Sequence, residues 1–172
     1  IGSGTAKFTI TGFLLGYALG QLLYGPISNR LGRKPAFYIG ILVATLGSLF
    51  SILASPAHSF ALLIVGRFLE ALGASTGLVV CFAIVNDFYH EKEARIVTGV
   101  ITLAFALVPG AATLIGGVIT EYLNWQGCFY FLLLYGLMLL VPVWRLPETL
   151  QKKNPHALHY QHLWKNYWKL FK

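Results

Sequence analysis

Residues 25–36 read GPISNRLGRKPA, a stretch that puts Arg30, Arg33 and Lys34 into five positions between two long apolar runs. Three cations so close together mark a turn at a charged membrane surface. Of the chain's 172 residues 56% are hydrophobic and only 11% are charged, whereas a water-soluble domain carries about a quarter charged residues. Such a composition is stable against lipid rather than water. Five apolar stretches of spanning length can be marked, at 8–27, 36–54, 60–83, 96–120 and 128–144. Each has roughly the 17–25 residues that a helix needs to cross a hydrocarbon core about 30 Å thick. Hydrocarbon leaves no partner for an unpaired backbone group, and the alternating pattern of a barrel strand is missing from the sequence. The expectation is an all-α integral membrane bundle of five transmembrane helices.

Five spans put the two ends on opposite sides. The first and third loops and the tail hold Arg30, Arg33, Lys34, Lys92, Arg95, Arg145, Lys152, Lys153, Lys165, Lys169 and Lys172, while the other side holds Lys7. That asymmetry places the chain start outside and the tail in the cytoplasm. The formal charge of +7 is then a topological label, and no nucleic-acid partner is expected. Because the chain opens on Ile1, the native amino terminus is expected to lie upstream. Cys81 and Cys128 fall near opposite faces, about 30 Å apart along a helix, beyond disulfide reach.

The turn, with Gly25, Asn29, Arg30, Gly32, Arg33 and Lys34, resembles the loop signature G-x-L-x-D-R-x-G-R-K/R of the major facilitator superfamily, in the form of its drug:proton antiporters and most closely their bicyclomycin-resistance branch. The resemblance covers essentially the whole chain. It implies that 1–150 comprises helices two to six of a six-helix amino-terminal half, and that 151–172 starts the cytoplasmic central loop, with Arg145-Leu146-Pro147-Glu148-Thr149-Leu150 as the exit. A first helix and a second six-helix half would be supplied by the rest of the protein. In the family this turn latches the two halves on the cytoplasmic side. Asn29 stands where the signature has an acid, so an ion pair there is lost and a weaker latch is expected. Independently of the family, Gly32 permits a tight reversal and Pro35 suits the start of a helix.

Arg67 and Glu70 lie inside the third span, Arg67 about 10 Å from its start at Phe60. An unpaired cation there costs at least about 2.5 kcal/mol, so Arg67 must face a bundle interior or water. Glu70, three residues on, is placed to neutralise it. Both a structural ion pair and part of a proton pathway fit this spacing. The stretch is similar to the fourth-helix motif of proton-coupled family members, which implies a proton-coupling role for Arg67, with Glu70 in place of the usual glutamine. In the fourth span Pro109, Gly110, Thr113, Gly116 and Gly117 are similar to the antiporter motif G-P-x-x-G-G. Pro109 opens one backbone hydrogen bond and can kink the helix, and Gly110, Gly116 and Gly117 let a partner helix approach closely. The ridges Gly12/Gly16/Gly20 and Gly73/Gly77 read as packing faces. Spans one and four are both glycine-rich, as an inverted repeat would make them.

The stretch 87–95 reads as a solvated loop and 121–127 as a short outer loop with interfacial aromatics. The tail after Pro155 has the spacing of an amphipathic helix on the membrane surface. Its histidines lack acidic or cysteine companions, so no metal site is expected, and neither is a cofactor or an enzymatic constellation. The reading is a proton-coupled secondary transporter of the bacterial inner membrane, not an enzyme, that exports drugs or other small molecules by alternating access. A metabolite transporter for a sugar or siderophore, and a transport-inactive membrane scaffold, remain the alternatives.

Overall fold

The structure, a computed structural model, describes residues 3–150, so the amphipathic tail lies outside the described residues. Four helices follow one another: α1 (Ser3–Leu31), α2 (Arg33–Leu53), α3 (Phe60–Phe88) and α4 (Glu91–Arg145). All four are long and apolar enough to cross a membrane, and among the described residues there is no strand.

The expected five spans are present as four helices, because the fourth and fifth are joined without a loop. In α4 only Asn124 leaves helical backbone angles, at φ 60° and ψ 179°, a positive φ that asparagine tolerates better than most residues. The chain folds back there. Cys128 Sγ comes within 3.7 Å of the Gly116 carbonyl oxygen and 3.4 Å of Thr120 Oγ1, where a straight helix would hold Gly116 and Cys128 about 18 Å apart. Gly127 makes the hairpin tight, since a Cβ on it would lie 2.6 Å from Leu123 Cβ and 2.9 Å from Ile119 Cγ2. The outer loop expected at 121–127 is thus a one-residue reversal between two arms, 91–123 and 125–145.

The loop expected at 87–95 is also shorter. Asp87 and Phe88 belong to the last turn of α3, and α4 already starts at Glu91, with Glu91 and Glu93 in its first turn, where acids suit the positive end of the helix. Likewise Gly25 to Arg30 are helical, and Gly32 alone separates α1 from α2. Its φ of +118° is one that a side chain rarely adopts. At the far end Ser59 caps α3, its Oγ accepting from the Leu62 N–H at 3.3 Å.

Packing is inverted relative to a water-soluble protein. The most deeply buried side chains include Ser28, Ser48, Ser51, Ser75 and Thr76, while Leu14, Leu22, Leu42, Val100, Leu107 and many like them are exposed. Lipid is as apolar as leucine, so helices associate through close backbone approach at small residues. α3 is the central element. Gly12, Gly16 and Gly20 of α1 meet Ile64, Phe68, Leu72 and Ser75 on one side of it. On the other, Gly40 and Gly47 of α2 interleave with Gly66, Gly73 and Thr76. Of the two expected ridges the first packs throughout, whereas in the second only Gly73 does; Gly77 has open space around it. The second arm of α4 rests on α2 through Gly136 against Thr45.

Candidate functional site

Two polar clusters interrupt this apolar scaffold. The first lies inside the bundle. The three-residue spacing of Arg67 and Glu70 on α3 brings them into a direct ion pair between Nη1 and Oε2. The other carboxylate oxygen, Oε1, accepts from Ser48 Oγ of α2 at 2.6 Å. Glu70 is 5% exposed. Both of its oxygens are therefore satisfied, which is what allows a carboxylate to be buried there at all. Glu70 also lines a cavity of about 330 Å³ between α2, α3 and the second arm of α4, whose walls include Phe37, Thr45, Thr76, Leu132 and Tyr135. This combination of an enclosed carboxylate, a neighbouring cation and a mostly apolar cavity suits reversible proton uptake coupled to a guest molecule.

The second cluster gathers the ends of all four helices. Arg33, 7% exposed, donates from Nε to Asp87 Oδ2 at 2.8 Å and from Nη2 to Asp87 Oδ1 at 3.4 Å. Its Nη1 donates to Ser28 Oγ at 2.8 Å and to Asn29 Oδ1 at 2.7 Å. One guanidinium thereby ties the end of α1 to the end of α3, using the fork that only arginine has. Glu148, just after α4, accepts from the backbone N–H groups of Arg33 at 2.8 Å and Lys34 at 3.2 Å. These are orphan donors at the start of α2, where a carboxylate also meets the favourable end of the helix dipole. Lys34 Nζ in turn donates to the Trp144 carbonyl at 2.7 Å. A Cβ on Gly32 would lie 2.9 Å from Glu148 Cδ, so the glycine makes room for the acid as well as for the turn.

Of the residues singled out in the sequence, Arg67 and Glu70 are brought together, and Asn29, Gly32, Arg33 and Lys34 share the second cluster. Gly25 joins it only through its carbonyl, which accepts from Ser28 Oγ at 2.9 Å, a Cβ on it meeting open space, and Arg30 is exposed. Asn29 makes no ion pair and takes part only as a neutral acceptor from Arg33. Arg33 has its carboxylate, but from Asp87 on α3 rather than from the turn. Pro109, Gly110, Thr113, Gly116 and Gly117 lie on the first arm of α4, which keeps helical backbone angles through Pro109. Thr113 Oγ1 bonds back to the Pro109 carbonyl at 2.8 Å. A Cβ on Gly110, Gly116 or Gly117 would meet no described residue within 4 Å; the second arm of α4 approaches Gly116 at its carbonyl, through Cys128 Sγ, and not at the face that lacks a side chain. Ser48, Asp87 and Glu148 were missed as partners; for Ser48 the available signal was a serine next to Gly47 in an apolar span.

Comparison with known proteins agrees with this architecture. The family model described as Major Facilitator Superfamily matches residues 1–172. The chain is 32% identical over 167 residues to a bicyclomycin resistance protein homolog of Haemophilus influenzae, covering 96% of this chain and 41% of that protein. It is 37% identical over 149 residues to a chloramphenicol resistance protein of Pseudomonas aeruginosa, covering 86% and 35%. It is 30% identical over 148 residues to multidrug resistance protein D of Escherichia coli, covering 85% and 36%. The chain therefore spans about two-fifths or less of the length of these relatives.

Proposed function

Because the chain belongs to the Major Facilitator Superfamily, we propose that the protein is a proton-coupled secondary transporter that exports small molecules, drugs among them, by alternating access. The resistance for which its relatives are named supports the export of toxic compounds. The observation that carries proton coupling is the buried Glu70 carboxylate, shared between Arg67 and Ser48 beside a cavity. Glu70 takes up and releases the proton, and Arg67 holds its counter-charge in place. The Arg33 cluster is the gate at one end of the bundle, with Asn29, Gly32 and Lys34 shaping the turn. Pro109, Gly110, Thr113, Gly116 and Gly117 shape the face of α4 that meets the remainder of the transporter, in which we place a first helix and a second six-helix half. Substrate, protons and lipid are its partners.

Glu70→Gln keeps the size and hydrogen-bonding reach of the side chain but removes its titration. In membrane vesicles containing the full-length protein, this variant is expected to export fluorescent test compounds with little dependence on pH. Export that keeps the wild-type pH profile would reduce Glu70 to a structural partner of Arg67.

We place the Arg33 cluster on the cytoplasmic side of a bacterial inner membrane. It is the end that collects Arg30, Arg33, Lys34 and Arg145, as cytoplasmic ends do. A single cysteine introduced as Arg30→Cys, in a protein whose native cysteines are replaced by serine, is expected to react with a membrane-impermeant maleimide only after the cells are opened. Labelling of intact cells would invert the topology.

A further inference from the structure

Arg67 is held by more than its carboxylate. Its guanidinium carbon lies 4.5 Å from the centroid of the Phe13 ring on α1 and 5.7 Å from that of Phe129 on the second arm of α4. Both distances fall within the roughly 6 Å over which a ring face attracts a cation. Each ring is itself steadied by an aromatic neighbour. Phe13 stacks on Tyr17 with centroids 6.3 Å apart, and Phe129 meets Trp125 edge-on at 5.9 Å. With Ser48 on the Glu70 side, all four helices converge on the Arg67–Glu70 pair.

We infer that Phe13 and Phe129 form an aromatic clamp that positions the Arg67 guanidinium and supports it as a lone cation whenever Glu70 takes up a proton. The inference rests on the reading of Glu70 and Arg67 as the coupling pair. While Glu70 is ionised, Arg67 has a counter-charge. Protonation removes it, and an uncompensated cation inside a span is costly. A ring face attracts the cation without neutralising it and without competing for the proton. The clamp therefore favours the protonated state selectively, because the guanidinium leans on the rings most when the carboxylate has let go. It acts as a positioning device that sets the pH at which the pair changes state. Among the described residues, the other polar groups on the elements around the pair include Ser48 of α2, Tyr17, stacked on Phe13 of α1, and Tyr135 of α4 in the cavity that Glu70 lines.

The test uses the full-length protein in lipid vesicles and needs no substrate. The carbonyl stretch of the protonated Glu70 carboxyl, identified by its loss in Glu70→Gln, is followed by infrared spectroscopy as a function of pH. Phe13 and Phe129 are replaced one at a time by mono-, di- and trifluorophenylalanine, which keep the ring's shape while draining its face of negative charge. The midpoint of the band is expected to move toward acid with each fluorine, by roughly half to one pH unit in total at Phe13 and by less at the more distant Phe129. Phe13→Tyr should stay near the wild type. A midpoint that ignores fluorine count, even if Phe13→Leu disturbs it, would show that the rings only fill space and would overturn the clamp alone. Absence of any band that Glu70→Gln removes would overturn the coupling pair as well.

Discussion

Gly73→Ala is expected to cost about 3 kcal/mol, at the upper end for overpacking a core, and Gly73→Val to leave no folded bundle. A Cβ at this position falls on the backbone nitrogen of Ala44 and the carbonyl oxygen of Gly40, and 2.8 Å from Ala44 Cα. Side chains escape such a clash by changing rotamer; main chain does not. α2 would have to move off α3, undoing the approach at Gly47 and Gly66, where a Cβ on Gly47 would lie 2.7 Å from the Gly66 carbonyl oxygen. Gly77→Ala is the internal control, because the same helix has open space there. It should change stability by no more than about 0.5 kcal/mol. Thermal unfolding of the detergent-purified full-length variants measures both. Equal behaviour of the two would mean that α2 and α3 are not packed backbone to backbone.

Arg33→Ala is expected to be the most damaging substitution of a charged residue, at about 3 kcal/mol. Four side-chain hydrogen bonds go with it, and Asp87, Ser28 and Asn29 are left facing one another. Arg33→Lys keeps the charge but presents a compact ammonium that cannot span Asp87 and Ser28 together, so about half of the loss should remain. The Asp87 side chain is 24% exposed, and water screens part of its attraction. A double-mutant cycle of Arg33→Ala with Asp87→Asn should therefore give a coupling of about 1–2 kcal/mol. A coupling near zero would mean that the arginine stabilises the turn through Ser28 and Asn29 alone.

The helices, their membrane setting and the contact of Arg67 with Glu70 were legible because each depends on local pattern: run length, scarcity of charge, a three-residue spacing. Asp87 and Glu148 were not legible as partners of Arg33 and Lys34. Nothing in their own neighbourhoods distinguishes them from acids in a solvated loop, and only the return of α3 and α4 to the same end of the bundle brings them there. Asn124 misled for a related reason. Polar residues around it read as a loop of seven, whereas a single positive φ, with Gly127 admitting Leu123 and Ile119, suffices to reverse the chain. Phe13 and Phe129 carried no mark at all, since phenylalanine in an apolar span is what lipid contact also selects.

The seat of Glu148 on the first turn of α2 joins residues 115 positions apart in the chain. Closing so long a loop costs entropy before it returns any bonding, so this knot can be tied only once the intervening helices already stand side by side. It works as a seal on finished assembly: a nascent chain with one helix misplaced has no means of fastening it, and the backbone amides of Arg33 and Lys34 should be the last in the bundle to gain protection from exchange with water.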